Sequence, residues 1–367
     1  MKNDIYNRSK LAFHEEKLKS LKEGKITSPI YVRIKPTNKC NHACYYCSYV
    51  PENECTVSEN MNFNDEISKE KMLEILNDFK EMGVKAITFS GGGEPLIYPY
   101  IEEIMQKTLD YGIELSIITN GQELNGNKAR ILSKSEWVRI SAGEIDAENF
   151  VNTRKRPASF FYKLQDNIKN FSKIKKNDCE LGINFVVQKN NADKVYESAK
   201  YFKNLGVNHI KFTACWVPEE FFEYHKPIKE DVIEQIKKAR KDFEDENFKI
   251  YDTYEEDFLL TGLCERKYEK CYIMQIIPVI GADSVVYFCH DKTYSKSGVL
   301  GSIRKKSFKE LWFSEETKEI FENFNPKKKC KHHCTYDSRN LSIIKMIENL
   351  ENIDKFKPDT EKHKNFI

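Results

Sequence analysis

The sequence has no long hydrophobic run, no excess of either charge, no internal repeat and no low-complexity tract. The longest apolar stretch is a few residues, too short to span a membrane. The first residues, MKNDIYNRSKLAFHEEKLKS, are charged throughout and lack the apolar core of a secretion signal. The 59 Lys and Arg nearly cancel the 57 Asp and Glu, leaving +2, so no global field recruits nucleic acid or anionic lipid. These absences lead us to expect a cytoplasmic protein with neither a nucleic-acid nor a membrane partner. Hydrophobic residues make up 40%, too many for a disordered chain. At roughly 100–200 residues per domain, 367 residues make two domains, or one large domain with an extension.

Against that plain background stand eleven cysteines. A chain of this size needs no disulfide staples, and without a secretion signal a disulfide framework is not expected. Metal is the alternative. Cys40, Cys44, Cys47 and Cys55 crowd one region and Cys264, Cys271, Cys289, Cys330 and Cys334 another, with Cys179 and Cys215 between them. Two clusters suggest two metal sites.

Residues 6–24 read as a charged amphipathic helix. From residue 31, strands alternate with helices: YVRIKPT, VKAITFS (84–90), IELSIITNG (113–121), WVRISAG (137–143), LGINFVVQ (181–188) and HIKFTAC (209–215). The intervening helices at 68–83, 100–112 and 191–206 each stop on or just before a glycine. Six strand–helix units imply a parallel sheet with right-handed crossovers. A partial (β/α)6 TIM-like barrel fits, with an open doubly wound sheet as the competing architecture. In both, chemistry sits at the carboxyl ends of the strands. After about residue 250 the alternation stops. A hairpin turning through GADS (281–284), a Gly-Ser-Ile segment and a helix over 308–324 make a small cysteine-organised α+β domain. The expected domains are a helical extension (1–30), the barrel (31–250), the cysteine module (251–340) and a C-terminal helix and tail (341–367), with HKNFI docking onto the barrel.

Cys40-x3-Cys44-x2-Cys47 lies in the loop after the first strand. Soft thiolates this close select zinc or an iron–sulfur cluster. Structural zinc wants a fourth ligand, which His42 or Cys55 offers. Three cysteines with an open position suit a [4Fe–4S] cluster whose fourth iron binds something else. The second strand ends in Ser90-Gly-Gly-Gly-Glu94-Pro95, where glycines permit close backbone approach and Glu94 places a carboxylate suited to an ammonium group. The third ends in Thr119-Asn120-Gly121, short polar groups able to bond a ribose.

Together these motifs resemble the radical S-adenosylmethionine superfamily, over roughly residues 30–245. The resemblance implies that Cys40, Cys44 and Cys47 hold a catalytic [4Fe–4S] cluster whose open iron chelates S-adenosylmethionine. By the same resemblance Tyr46 packs near adenine, and Gly92, Gly93 and Glu94 meet the methionine amine. Asn120 and Ser141 are then ribose and carboxylate contacts. The family often has Ser-x-Asp after the fourth strand, where this chain has Ser141-Ala-Gly-Glu144.

The second cluster resembles the SPASM module and its shortened form, twitch. Its pattern is Cys271, a glycine turn, Cys289, Gly301-Ser-Ile with a Leu-Trp312 helix, and Cys330-x3-Cys334. Ser302 stands where the family has Asn, and the closing pair is Cys-x3-Cys rather than Cys-x2-Cys. The resemblance implies one auxiliary [4Fe–4S] cluster on Cys271, Cys289, Cys330 and Cys334, with Cys264 a substitute ligand. A zinc knuckle using His332 or His333 is the other reading.

The function implied is hydrogen abstraction from a small polar substrate (a sugar, aminosugar, nucleotide-sugar or cyclitol), giving dehydrogenation or epimerisation. The auxiliary cluster would accept or relay an electron, and a flavodoxin or ferredoxin would supply reductant. Cys215, closing the sixth strand, is a candidate hydrogen-atom donor or a small buried hydrophobe. Tyr251, Tyr254, Glu255 and Glu256 are candidate substrate contacts. The alternative is a peptide-modifying maturase with a separate leader-binding partner, since only 39 residues precede Cys40.

Overall fold

The computed structural model describes residues 5–49, 60–217, 220–261, 265–332 and 334–367. Cys55, Cys264 and His333 lie outside these residues. One ten-stranded sheet organises the chain. Strands β1 (Tyr31–Ile34), β2 (Ala86–Phe89), β3 (Glu114–Thr119), β4 (Trp137–Ser141), β5 (Glu180–Val187) and β6 (His209–Ala214) follow one another in parallel, as a partial barrel requires. A seventh parallel strand, β7 (Lys249–Asp252), adds to β6. It lies across the position 250 expected as a domain boundary.

The strands alternate strictly, as period-2 side chains must when both faces are covered differently. Val32, Ile34, Ile87, Phe89, Leu115, Ile117, Val138, Ile140, Ile183, Ile210 and Phe212 face the surrounding helices and form the main core. The residues between them, including Arg33, Thr88, Ser116, Arg139, Asn184 and Lys211, point into the barrel lumen. Tyr31, Thr88 and Ser116 join hydroxyl to hydroxyl across that lumen. The helices end for local reasons. Lys69–Met82 is capped by the Ser68 hydroxyl and stops at Gly83, whose φ of 72° is the left-handed conformation that glycine tolerates best.

The cysteine module continues the same sheet. Strand β8 (Val279–Ile280) pairs in parallel with β1, and β9 (Val285–Tyr287) and β10 (Val299–Ser302) follow antiparallel. The hairpin turns at 281–284 as expected, but its first arm is short because Tyr272–Gln275 forms a 3-10 turn. The single helix expected over 308–324 is two, Phe308–Trp312 and Glu315–Asn323, because the Ser314 hydroxyl caps a new start by accepting from Thr317 N. Trp312 stacks on Phe308 and donates to the Thr27 carbonyl, fastening the module to the N-terminal extension. The expected helix over 6–24 is a 3-10 turn, Lys10–Phe13, followed by Glu15–Lys22. At the opposite end Phe366 and Ile367 are buried, with Phe366 edge-on to Tyr31 and Trp137, so the tail does dock onto the barrel.

Candidate functional site

The first cysteine loop hangs from the end of the helix Ala147–Arg154. Ala43 N donates to the Arg154 carbonyl and Tyr45 N to the Thr153 carbonyl. Cys40, Cys44 and Cys47 are free thiols. Burial pushes the Cys40 thiol up to about 12, and the neighbouring Glu94, Cys44 and Cys47 add to that. Thiols clustered in this way suit a metal centre, which deprotonates its ligands on binding. His42, offered by the sequence as a fourth ligand, packs edge-on against Phe150 at 5.7 Å.

The glycine run lies against this loop. Gly93 N donates to the Thr37 carbonyl and Glu94 N to the Lys39 carbonyl. A Cβ on Gly92 would stand 2.1 Å from Asn38 Oδ1, and one on Gly93 1.9 Å from the Lys39 carbonyl oxygen. The close approach that the glycines permit is therefore to the chain's own cysteine loop. Glu94 is 2% exposed, and burial pushes its carboxyl up to about 7. Its Oε1 accepts from Leu96 N (2.9 Å) and Thr119 Oγ1 (2.6 Å), and its Oε2 from Asn120 N (2.6 Å). Each carboxylate oxygen takes two donors, so Oε2 keeps one acceptor position for a ligand. The Asn120 side chain donates to Asn41 Oδ1, tying the end of β3 to the cysteine loop.

Arg154 is a side chain of this site that sequence reasoning missed. It is 3% exposed; its Nε lies 3.1 Å from both oxygens of Glu144, and its other nitrogens reach Cys44 Sγ (3.5 Å) and the Ser141 carbonyl (3.1 Å). It also lies 5.5 Å over the Tyr46 ring. Glu144, where the sequence left the acid's role open, is its counter-ion. Only the packing of 147–154 under the loop reveals this.

The second group of thiols is also assembled. Cys271, Cys289 and Cys330 border a small apolar cluster with Met274, Phe288 and Phe324. Burial is the main cause that raises each, Cys271 to about 12, and neighbouring cysteines raise Cys271, Cys289 and Cys334 further. Arg266, missed by the sequence, fixes the closing loop: it pairs with Asp337 at 2.6 Å and donates to the His332 carbonyl. Among the described residues no three His, Cys, Asp or Glu side chains already surround a single-ion point.

Comparison with known proteins agrees with this geometry. Residues 34–202 match the radical SAM superfamily, and residues 271–335, spanning all four auxiliary cysteines, match the SPASM iron–sulfur cluster-binding domain. The chain carries a radical SAM domain followed by a SPASM domain. Among its curated relatives are a GTP 3′,8-cyclase of Helicobacter pylori and a probable GTP 3′,8-cyclase of Archaeoglobus fulgidus. The first is 26% identical over 59% of this chain and 65% of its own length, the second 34% identical over 32% and 37%. The chain thus spans about a third to two thirds of the curated relatives it matches. The fold resembles that of Streptococcus suis SuiB bound to S-adenosylmethionine (TM-score 0.60, 16% identity, 83% of this chain and 70% of that one). It also resembles that of anSMEcpe with bound AdoMet (TM-score 0.59, 20% identity, 90% and 98%). The two domains imply S-adenosylmethionine, a catalytic [4Fe–4S] cluster and an auxiliary one, and the two sets of free thiols fit both clusters.

Between the two thiol sets of this radical SAM protein lies a cavity of about 640 Å³. Ser48 and Tyr49, following the catalytic cysteines, line one side; His290, Asp291 and Thr335, beside the auxiliary ones, line another. Strands β6 and β7 contribute Lys211, Thr213, Tyr251 and Asp252, and the segment 6–9 covers part of it. Of the substrate contacts expected from sequence, Tyr251 and Glu256 reach this cavity. Tyr254 is buried with its hydroxyl 3.0 Å from His225 Nδ1, and Glu255 is exposed. Cys215 is buried, its thiol pushed up to about 12; its neighbours Ala214 and Trp216 line the cavity and it does not. Among the described residues no helix is long and apolar enough to cross a membrane.

Proposed function

We propose that this chain abstracts a hydrogen atom from a small polar molecule bound in the 640 Å³ cavity, giving a dehydrogenated or epimerised product. The carrying observation is the position of that cavity, lined on one side by Ser48 and Tyr49, which follow Cys47, and on another by His290, Asp291 and Thr335, which follow Cys289 and Cys334. Its volume is that of a small-molecule site, and its lining is rich in hydroxyl and charged groups. Two kinds of curated relative, the GTP 3′,8-cyclases and an S-adenosylmethionine-dependent nucleotide dehydratase, are named for nucleotides, which supports a small substrate.

S-adenosylmethionine on a reduced catalytic cluster supplies a 5′-deoxyadenosyl radical, the reagent for an unactivated C–H bond. In our reading the chain does the rest. Cys40, Cys44 and Cys47 hold the catalytic cluster, and Glu94 with its free Oε2 position takes the methionine ammonium. Asn120 and Ser141 contact ribose and carboxylate, and Tyr46 lies by adenine. Cys271, Cys289, Cys330 and Cys334 hold the auxiliary cluster beside the cavity, where an electron from the substrate can leave. Segment 6–9 and Tyr49 limit water.

The test is anaerobic incubation of the reconstituted enzyme with S-adenosylmethionine and dithionite against nucleotides, sugar nucleotides and aminocyclitols. Substrate-dependent release of 5′-deoxyadenosine is expected from one of these classes. Release stimulated by peptides alone would overturn the reading in favour of a peptide maturase.

A further inference from the structure

One tyrosine of the cysteine module packs into the glycine run of the barrel. Tyr294 is fully buried, and its φ of 66° is a left-handed conformation that a bulky side chain rarely adopts. Such backbone persists only where its surroundings over-determine it, and three sets of contacts do so here. The Tyr294 carbonyl accepts from Asn60 N (3.1 Å) and Asn60 Nδ2 (3.0 Å). Its hydroxyl donates to Asn38 Oδ1 (2.5 Å) and accepts from Ala282 N (3.2 Å). Its ring stands edge-on to Tyr49 and Tyr287, with centroids 6.4 and 5.7 Å away, and 5.3 Å from Lys35 Nζ.

Asn38 carries these contacts to the glycine run. It is buried two residues before Cys40, in the middle of the stretch 37–39 whose outer carbonyls accept from Gly93 N and Glu94 N. Its Nδ2 donates to the Asn62 carbonyl (2.8 Å), so Asn62 and Tyr294 hold opposite ends of one amide. Gly92 packs on the same pair: a Cβ there would stand 2.1 Å from Asn38 Oδ1 and 3.1 Å from Tyr294 Oη. The tyrosine hydroxyl therefore supports Gly92 directly, and Gly93 and Glu94 through stretch 37–39. At its other end Tyr294 shares a hydrogen-bonded turn with Cys289. Thr293 Oγ1 donates to the Cys289 carbonyl (3.2 Å) and to the His290 carbonyl (2.8 Å), and Thr293 N donates to the latter too (3.2 Å).

We infer that Tyr294 is a positioning residue for S-adenosylmethionine, and that through it a loaded auxiliary site sets the glycine run and Glu94 for the ammonium group. The inference rests on reading Gly92, Gly93 and Glu94 as S-adenosylmethionine contacts. Two sites are coupled when both bias one element. Here that element is the turn 289–295. A cluster that fixes Cys289 fixes the turn, the turn presents the Tyr294 hydroxyl, and the hydroxyl holds Asn38 under Gly92. Close-packed interiors transmit such displacements because they have little slack to absorb them.

The test is equilibrium binding of S-adenosylmethionine to the anaerobically reconstituted full chain, in Tyr294→Phe, Cys330→Ala and the double variant. Tyr294→Phe keeps the ring and removes only the hydroxyl. It should retain about eight irons and bind S-adenosylmethionine about fivefold more weakly, the worth of one hydrogen bond. In dithionite-driven cleavage its KM for S-adenosylmethionine should rise with kcat unchanged. Cys330→Ala, which unloads the auxiliary site, should weaken binding by a similar factor. The double variant should be little worse than either, because both changes act through one turn. Parental affinity in iron-replete Tyr294→Phe would overturn the inference, and so would losses that multiply in the double variant. A lower melting temperature with parental affinity would likewise overturn it, leaving a tyrosine that only fastens the module to the barrel. If Tyr294→Phe takes up no iron, Cys330→Ala decides: weakened binding supports the coupling and parental affinity overturns it. Glu94→Gln separates the inference from the reading beneath it. Parental affinity in Glu94→Gln strikes that reading and the inference with it; weak binding there beside parental affinity in Tyr294→Phe strikes the inference alone.

Discussion

Glu144 and Arg154 form a buried ion pair that aims a guanidinium at the Cys44 sulfur, 3.5 Å away. Ten residues separate them, yet they meet because the helix Ala147–Arg154 folds back under the cysteine loop. Removing either partner leaves the other charge buried and alone, at a cost of roughly 3–5 kcal/mol. Glu144→Gln and Arg154→Met should both lower the denaturation midpoint of the reconstituted protein. Arg154→Met should also shift the catalytic cluster's midpoint potential to more negative values, because a positive charge beside it favours the reduced form. An unshifted potential in a folded, iron-replete variant would remove Arg154 from that role.

The glycine run is a packing requirement as well as a ligand-binding motif. Gly93→Ala places a methyl 1.9 Å from the Lys39 carbonyl oxygen, backbone that cannot rotate away. The loop must shift, with a loss of about 1–3 kcal/mol. Equilibrium binding should show weakened affinity for S-adenosylmethionine, and iron content should fall with it, since the displaced segment is the cysteine loop.

Glu94 gives S-adenosylmethionine binding a pH dependence. Burial holds its carboxyl at about 7, above its ordinary 4.5. The empty fold therefore loses stability as pH rises from 4.5 to 7, where the folded protein holds the proton more tightly than the unfolded chain. The ionised form is the one that accepts an ammonium. Affinity should rise with pH below 7, by up to about tenfold per unit, and level off above it. Glu94→Gln should bind weakly with a flat profile between pH 5 and 7; a retained slope would exclude Glu94 as the titrating group.

The two thiol sets should separate by mutation. The intact protein should hold about eight irons, two four-iron clusters. Cys44→Ala should retain about four and lose reductive cleavage of S-adenosylmethionine. Cys330→Ala should also retain about four but still cleave S-adenosylmethionine without completing turnover. Stoichiometric zinc in either set would contradict the cluster assignment.

Cys215 tests the stereochemical outcome. An epimerase using this thiol as hydrogen donor would stall in Cys215→Ala and accumulate no product, whereas a dehydrogenase would work on. The thiol's place behind Ala214 and Trp216, off the cavity wall, leads us to expect turnover in that variant with the product unchanged, followed by mass spectrometry in deuterated solvent.

Much of the architecture is legible in the chain itself. The strands β1 to β6 appear where periodicity puts them, because each carries an outward apolar row and ends in polar or glycine-rich loops. The cysteine spacings marked both thiol sets. Strand β7 escaped because KIYD (249–252) is short and follows a polar stretch. The break at Ser314 escaped because apolar spacing runs through it, and only the cap shows that the helix restarts.

What the sequence determined by itself is therefore local: which residues can ligate, where glycines permit close approach, and that strands alternate with helices. The tertiary structure decided what is convergent. It paired Glu144 with Arg154, set the glycine run against the cysteine loop rather than against a ligand alone, and joined the cysteine module to β1 so that a cavity lies between the two thiol sets. It also turned Arg33, Arg139 and Lys211 from three separate strands toward one lumen. Charges far apart in the chain announce nothing by spacing. They come to act on one another only when barrel closure brings them within range and excludes the water that would otherwise screen them.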